Sequence, residues 1–288
     1  MKEKTVKRRG KFGLIWLRFR KNKTAMLGLM IIIVLLLGTV FVSIFGDYSK
    51  AITNDIPNRF MPPCAEHLFG TDHLGRDIFM RTIFGARISL LCGLASVALG
   101  MLVGTAVGAL SGYYGKIVDS VLMRLMDVLM AIPSILLCIA VVAAMGSNTV
   151  NLIIALAISL VPAFARIVRS SILVIKSMDY IEAAHAYGAS NLRIILKQII
   201  PNAMAPVIVQ ATLAIGLAIL SIAGLSFIGL GVAPPTPEWG YMLSEAQSSL
   251  RYHPYLIVAP GLALMLTVMA FNLFGDGLRD ALDPKLKN

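Results

Sequence analysis

The sequence predicts an all-α membrane protein with six transmembrane helices, on the evidence of composition, hydropathy and charge distribution. Hydrophobic residues make up 57% of the 288 residues and charged residues 14%, and the mean hydropathy is +0.79. Soluble globular chains have about 45–50% apolar and about 25% charged residues. Six apolar runs are long enough to cross a bilayer, which takes about 20 apolar residues each. The chain is therefore expected to be integral to a membrane.

The six predicted spans lie at residues 25–45, 88–110, 118–145, 150–168, 203–230 and 256–274. The first run is too long for the hydrophobic region of a typical signal peptide, and no small-x-small cleavage site ends it, so we expect an uncleaved span. The predicted organisation is a basic N-terminal segment at 1–24, a first helix at 25–45, an extracytoplasmic loop at 46–87, a five-helix core at 88–275 and a tail at 276–288.

The basic residues predict how the spans are oriented. Segment 1–24 contains ten Lys or Arg residues and one acid, Glu3. Such a segment can bind nucleic acid, but no aromatic stacking platform accompanies the bases. A cytoplasmic flank that orients the first helix explains them better. With the N-terminus inside, twenty of the 26 basic residues fall on the cytoplasmic side, so both termini are expected to be cytoplasmic.

A stripe of glycines recurs every four residues in the second predicted span. Its members are Gly100, Gly104, Gly108 and Gly112. This spacing places them on one helix face, where another backbone can approach closely. The stripe is either a dimerisation face or a packing surface within the bundle, and we favour packing within the bundle.

Prolines and charges interrupt the apolar spans. Pro133, Pro162 and Pro260 each remove a backbone donor and can kink a helix. Arg124 and Asp127 lie three residues apart in the third predicted span. They form either an intramembrane ion pair or two side chains that reach the cytoplasmic interface. The sequence contains no chain of buried acids of the kind that an ion-coupled transporter uses.

Polar side chains gather in the predicted outer loop. They are Cys64, His67, Asp72, His73 and Asp77. Their spacing matches no closed zinc pattern, and the three cysteines of the chain give no even disulfide framework. A structured loop is the better interpretation, in which Asp72 or Asp77 caps a helix or pairs with Arg76.

The polar segment "SMDYIEAAHAYGASNLRIILKQIIPNAMAP" at 177–206 separates two apolar spans. Asp179 favours a helix start, and Gly188 can adopt a positive φ and end that helix. Ser190 or Asn191 can cap a second helix, and Pro201 lies where that helix joins the fifth span. The segment therefore predicts a helical hairpin, with small alanines on its surface, that faces the cytoplasm and docks another protein.

This segment resembles the EAA motif of membrane subunits of ATP-binding-cassette importers, E-A-A-x3-G-x9-I-x-L-P. The residues that match are Glu182, Ala183, Ala184, Gly188 and Pro201. Gln198 and Ile200 depart from the motif, but the acid, the small pair and the glycine are kept. The resemblance implies that these five residues couple the chain to an ATPase and carry force rather than chemistry.

Three further segments resemble one subfamily, the permeases of dipeptide, oligopeptide and nickel importers. They are "HLFGTDHLGRDIFMRTIFGARISL", "PEWGYMLSEAQ" and "LRDALDPKLK". The basic N-terminus and six spans suit the second, or C, permease. The resemblance implies a type I importer permease fold in a bacterial inner membrane. It also implies three kinds of partner: a second permease, one or two ATPases that bind Mg-ATP, and an extracytoplasmic solute-binding protein.

The resemblance to an importer permease also implies that this chain binds no cofactor and is not an enzyme. "GYYGKIVD" lacks the phosphate-binding pattern, because Ile117 follows Lys116 and Leu110 replaces the first glycine. Dipeptides or oligopeptides are the expected solutes, with nickel complexes as the alternative in the family. Outside this family there are two alternatives. One is a secondary transporter, and the other is a membrane-embedded enzyme that uses the acids and histidines of the outer loop.

Overall fold

The computed structural model describes residues 11–282. The predictions for 1–10, within the basic segment, and for 283–288, within the tail, lie outside these residues. The helices, in chain order, are α1 Lys11–Lys21, α2 Lys23–Phe45, α3 Ser49–Ile52, α4 Ile78–Tyr114, α5 Lys116–Ala131, α6 Ser134–Met145, α7 Thr149–Lys176, α8 Asp179–Ala186, α9 Asn191–Ile194, α10 Ile200–Phe227, α11 Trp239–Gln247 and α12 Tyr255–Leu282. The described residues form no strand beyond one isolated bridge between Thr71 and Asp77.

The membrane-spanning helices agree with the predicted fold class. Five helical segments are long and apolar enough to cross a bilayer: α2, α4, α7, the continuous helix Asn191–Phe227, and α12. The pair α5 and α6 counts as a sixth when it is taken as one broken span. The prediction of an all-α, six-span membrane protein is therefore confirmed.

The third span is not the single helix that the sequence predicted at 118–145. It breaks after Ala131, and the two halves are bent by 92°. Ile132 is extended, with φ −94° and ψ 126°, which is the conformation favoured before a proline. Pro133 lacks the N–H that would continue the helix. Pro162 and Pro260, by contrast, lie inside uninterrupted helices.

Several helices extend further than hydropathy predicted. α4 begins ten residues before the predicted start of its span, because Asp77 caps it there by accepting the N–H of Met80. α12 continues to Leu282, so the predicted tail from 276 is helical in its described part. Hydropathy marks only the apolar part of a helix and therefore misses its polar ends.

The N-terminal flank contains a helix, α1, that the sequence did not predict. Asn22 separates it from α2 and caps α2 by accepting the N–H groups of Thr24 and Ala25. Phe19 is buried and packs edge-to-face on Phe274 of α12, with ring centroids 5.3 Å apart. α1 is thus held against the last span.

The glycine stripe of α4 packs on α7 of the same chain. A Cβ at Gly104 would lie 2.5 Å from Cβ of Phe164, and one at Gly112 would lie 3.0 Å from Cβ of Ile172. Real Cβ atoms essentially never approach as closely as 2.5 Å, and a contact of 3.0 Å is tighter than most, so glycine permits the two helices to approach this closely. Packing within the bundle is therefore the role of the stripe.

Candidate functional site

The segment 177–206 folds as a helical hairpin whose turn is built on Gly188. α8 ends in a Schellman motif, in which the N–H of Ala189 donates to the carbonyl of Ala184 and the N–H of Gly188 donates to that of His185, at 3.1 and 2.9 Å. Gly188 has φ +75°, and a Cβ there would meet no atom within 4 Å. Glycine is required for the left-handed backbone and not for space.

The second arm of the hairpin runs without interruption into the fifth span. α9 and α10 are joined by a π-helical turn, Ile195–Ile199, and Pro201 lies in the first turn of α10. Proline has no N–H and its ring crowds the preceding turn, which the wider π-helical turn accommodates. Ser190 occupies the cap position of α9, but its side chain makes no capping hydrogen bond.

One side of the hairpin is fixed in the core. Ile181, Ile194 and Ile199 are at most 1% exposed and belong to the main hydrophobic cluster, together with residues of α4, α7 and α10. Ala184 is buried as well. Full burial of side chains this large stabilises the hairpin against the membrane helices.

The opposite side of the hairpin is exposed and partly apolar. Glu182 and Ala183 are exposed, and Tyr187, Leu192 and Leu196 are 92%, 66% and 55% exposed. A groove of about 270 Å³ runs beside α8. It is lined by Lys176, Ser177, Met178, Ile181, Glu182 and His185. An ordered, exposed apolar surface beside a polar groove is typical of a protein-binding site.

Tyr113, at the end of α4, links this hairpin to two membrane helices. Its hydroxyl donates to Oδ1 of Asn191 at 2.8 Å and lies 3.3 Å from Nε2 of His185. Lys176, the last residue of α7, donates from Nζ to the carbonyl of Tyr113. Sequence reasoning missed Tyr113 and Lys176, because they are 78 and 15 residues from Asn191 in sequence and no local pattern marks them.

Of the two alternatives for Arg124 and Asp127, the ion pair between them does not form. Asp127 instead accepts a hydrogen bond from Arg166 of α7 at 2.6 Å. Nearer the start of α5, Asp119 accepts two bonds from Arg169, at 2.5 and 2.6 Å. The two acids of α5 therefore pair with arginines of α7 rather than with a base of their own helix.

The outer loop is ordered by the acids that the sequence singled out. Asp77 caps α4 and also lies 2.8 Å from Nδ1 of His67, and Asp72 pairs with Arg76 at 2.7 Å. The predicted capping and pairing roles are confirmed. Within residues 11–282, no group of three or more His, Cys, Asp or Glu side chains is placed to hold a metal ion.

A buried ionic cluster, which the sequence did not predict, joins this loop to α11. Arg76 and Arg81 are 2% and 1% exposed, and both donate to Glu245, at 2.7 and 2.6 Å. Asp72 lies 2.7 Å from Nε of Arg76 and 3.5 Å from Nε of Arg81. Two guanidinium groups and two carboxylates thus balance in charge. Glu245 is 169 residues from Arg76, so only the fold brings them together.

Two family profiles match the chain. One, described as the inner membrane component of binding-protein-dependent transport systems, matches residues 104–288. The other, described as the N-terminal transmembrane domain of oligopeptide transport permease C, matches residues 11–63. The second match covers α1, α2 and the start of the outer loop, which lie outside the first match.

Similar proteins and structures agree with these matches. The dipeptide transport system permease protein DppC of Alkalihalophilus pseudofirmus is 47% identical over 94% of this chain and 89% of its own length. The glutathione transport system permease protein GsiD of Escherichia coli is 48% identical over 94% and 90%. The inward-facing MetNI methionine ABC transporter has a TM-score of 0.55 at 20% identity, covering 69% of this chain and 94% of that chain, which indicates a shared fold. The chain belongs to the family of inner membrane components of binding-protein-dependent transport systems, the permease subunits of ATP-binding-cassette importers.

Proposed function

We propose that this chain is one of two permease subunits of a bacterial importer for short peptides. The named relatives transport dipeptides and glutathione, which are short peptides with free charged ends. The second permease completes the pathway, a solute-binding protein delivers the peptide from outside, and both termini of this chain lie in the cytoplasm. The excess of basic residues in the segments assigned to the cytoplasm supports this orientation.

The hairpin at 177–206 is the docking site for the ATPase subunits in this proposal. The observation that supports this docking role is that α8 has one buried and one exposed side. Ile181 and Ala184 are buried in the core, whereas Glu182 and Ala183 are exposed beside a groove. An isolated connector between two spans needs no such anchored and exposed surface. Gly188 fixes the turn of the hairpin, and Pro201 lies where the second arm joins the fifth span.

The ATPases supply the chemistry and this chain transmits the movement. Mg-ATP binds to the partner subunits, and this chain binds no cofactor. When the ATPases close on ATP, they move the hairpin at 177–206, and the movement reaches α4 and α7 through Tyr113 and Lys176. The pathway then changes the side on which it is open.

Affinity purification from native membranes in mild detergent tests the docking proposal. We expect the unmodified chain to recover a second permease and one or two ATPases. Glu182→Lys reverses a charge at the docking surface and should lose the ATPases but keep the second permease. Glu66→Lys makes the same change at an exposed position of the outer loop and should keep both. Equal recovery of ATPases with both variants would contradict the docking role.

Uptake by a deletion strain tests the solute. A strain that lacks this chain should lose ATP-dependent uptake of labelled dipeptides or oligopeptides and regain it with the chain restored. Loss of nickel uptake without loss of peptide uptake would favour the nickel alternative. Uptake that persists without the ATPases would favour an ion-coupled transporter.

A further inference from the structure

The helix α1 lies at the boundary of the membrane-spanning region. Only Asn22 separates it from α2, which is the most apolar of the described spans. The 23 residues of α2 extend over about 34 Å at the helical rise of 1.5 Å per residue. The hydrocarbon core of a bilayer is about 30 Å thick. Because α2 is only just long enough to cross it, Lys23, its first residue, lies at one surface of the bilayer, and α1 lies beside that surface.

The contacts of α1 with α12 place it at the same boundary. Phe19 is 3% exposed and forms a buried cluster with Ala25 of α2 and Ala281 of α12. Asn22 donates from Nδ2 to Oδ2 of Asp280 at 3.3 Å. Ala281 and Asp280 follow the apolar run of α12, which ends at residue 274. Two spans therefore hold α1 in a fixed position where the apolar part of each span ends.

The side of α1 that does not pack on the bundle combines apolar and basic side chains. Trp16 and Leu14 are 51% and 50% exposed. The Trp16 ring stacks on that of Phe19, with centroids 6.0 Å apart and an interplanar angle of 13°, so a buried side chain holds it in place. Arg20 is exposed and follows Trp16 by four residues, on the same side of the helix. Indole rings favour the membrane interface, where the ring contacts acyl chains and the N–H reaches polar groups.

Four bases at the junction of α1 and α2 take part in no ion pair within residues 11–282. They are Arg18, Arg20, Lys21 and Lys23. The adjacent end of α12 carries Asp276, Arg279 and Asp280, so an excess of positive charge remains. Lys23 begins α2, where the helix dipole disfavours a cation, and stabilisation of a helix end therefore does not explain it.

We propose that α1 and the first residue of α2 form a binding site for anionic phospholipids. Arg20, Lys21 and Lys23 contact the phosphate groups, and Trp16 lies between the headgroups and the acyl chains. Attraction to an anionic membrane surface strengthens binding by about fivefold for each Lys or Arg beside it. Because α1 packs on both α2 and α12, a lipid bound here stabilises the contact between the first and the last span. The inference holds whichever solute the transporter carries.

Photo-crosslinking to lipid tests the site in the complete transporter. The sample is held in nanodiscs that contain equal amounts of anionic phosphatidylglycerol and zwitterionic phosphatidylcholine. A photoreactive phenylalanine replaces Trp16 or, as the control, Phe45, which is 73% exposed at the other end of α2. Adducts at 16 should contain phosphatidylglycerol in about fivefold excess, the effect of one base, and adducts at 45 should contain both lipids equally. Equal amounts at 16, or adducts at 16 with a protein subunit or a nucleic acid in place of lipid, would overturn the proposal.

Charge substitutions test whether the bases select the lipid. Arg20→Gln, Lys21→Gln and Lys23→Gln together replace three exposed bases, and seven of the ten bases of segment 1–24 remain to orient the first span. Lys50→Gln, Arg59→Gln and Arg251→Gln replace three exposed bases outside this site and serve as the control. The excess of phosphatidylglycerol at 16 should disappear in the first variant and persist in the second.

Thermal unfolding of the purified complex provides a readout that needs no crosslink. Added phosphatidylglycerol should raise the midpoint of the unmodified complex and of the control variant, because a ligand of the folded state stabilises it. The midpoint of the variant without Arg20, Lys21 and Lys23 should not respond. An undiminished lipid excess and an equal rise of the midpoint in that variant would overturn the role of these bases.

Discussion

The hydroxyl of Tyr113 donates a hydrogen bond of 2.8 Å to Oδ1 of Asn191. Tyr113 lies in the last turn of α4, and Asn191 is the first residue of α9, just after the hairpin turn at Gly188. α4 packs along α7 through the glycine stripe, so a displacement of the hairpin can move two spans together. This contact gives the docking proposal a mechanical consequence that mutation can test.

Tyr113→Phe should weaken the coupling of ATP hydrolysis to uptake. The change removes one hydrogen bond, worth about 1 kcal/mol, and keeps the packed ring. We expect more ATP to be hydrolysed per peptide imported, while ATPases still copurify. The adjacent Tyr114 is 48% exposed, so Tyr114→Phe is the matched control and should leave the ratio unchanged. If both variants hydrolyse the same amount of ATP per peptide imported, the Tyr113 hydroxyl does not contribute to coupling.

Gly188→Ala should weaken ATPase capture by distorting the hairpin turn. Alanine in the left-handed conformation costs about 1–2 kcal/mol. Gly146, between α6 and α7, has φ +90° and, like Gly188, no atom within 4 Å of a Cβ position. Gly146 has ψ 150°, a backbone region open essentially to glycine, so Gly146→Ala should strain the backbone at least as much but keep the ATPases in affinity purification. If both variants lose them, the effect is one of general stability and the docking role of the turn is not supported.

Gly104→Ala should destabilise the bundle. The added Cβ would lie 2.5 Å from Cβ of Phe164, so α4 and α7 must move apart, at a cost of about 1–3 kcal/mol. Gly38 lies in α2 with no atom within 4 Å of its Cβ position, and Gly38→Ala should not lower stability. Thermal unfolding of the purified complex measures the difference. An unchanged midpoint for Gly104→Ala would argue against tight packing of the stripe on α7.

Glu245→Gln should destabilise the outer side of the protein. Arg76 and Arg81 both donate to Glu245 from buried positions, and breaking a buried pair costs about 3–5 kcal/mol. The exposed Glu66 supplies the control, because Glu66→Gln removes the same charge where solvent screens it. Proteolysis of the outer loop in intact cells should accelerate only for Glu245→Gln. Equal resistance of both variants to proteolysis would show that the ionic cluster does not stabilise the outer loop.

The sequence predicted those features that depend on local pattern. Hydropathy located the spans because each carries its own apolar residues, and Gly188 marked the turn because a positive φ favours glycine at that position. The capping role of Asp77 was predictable for the same reason, since the acid immediately precedes the helix it caps.

The features that the sequence did not predict depend on contacts between distant residues. Asp127 pairs with Arg166 and not with the nearby Arg124, because α5 packs against α7 next to Asp127. The link from Tyr113 to Asn191 and the cluster around Glu245 have the same origin. Hydropathy likewise predicted 118–145 as one span, because the hydropathy of an apolar run is the same whether or not the helix changes direction by 92° near Pro133.

Photo-crosslinking at the hairpin tests the central claim, that this surface docks the ATPases, most directly. Tyr187 and Tyr252 are 92% and 76% exposed, and the proposed topology places them on opposite sides of the membrane. A photoreactive phenylalanine at 187, activated in cells, should form a covalent adduct with an ATPase subunit, and the same residue at 252 should form none. Absence of an ATPase adduct at 187, or an ATPase adduct at 252, would contradict the account.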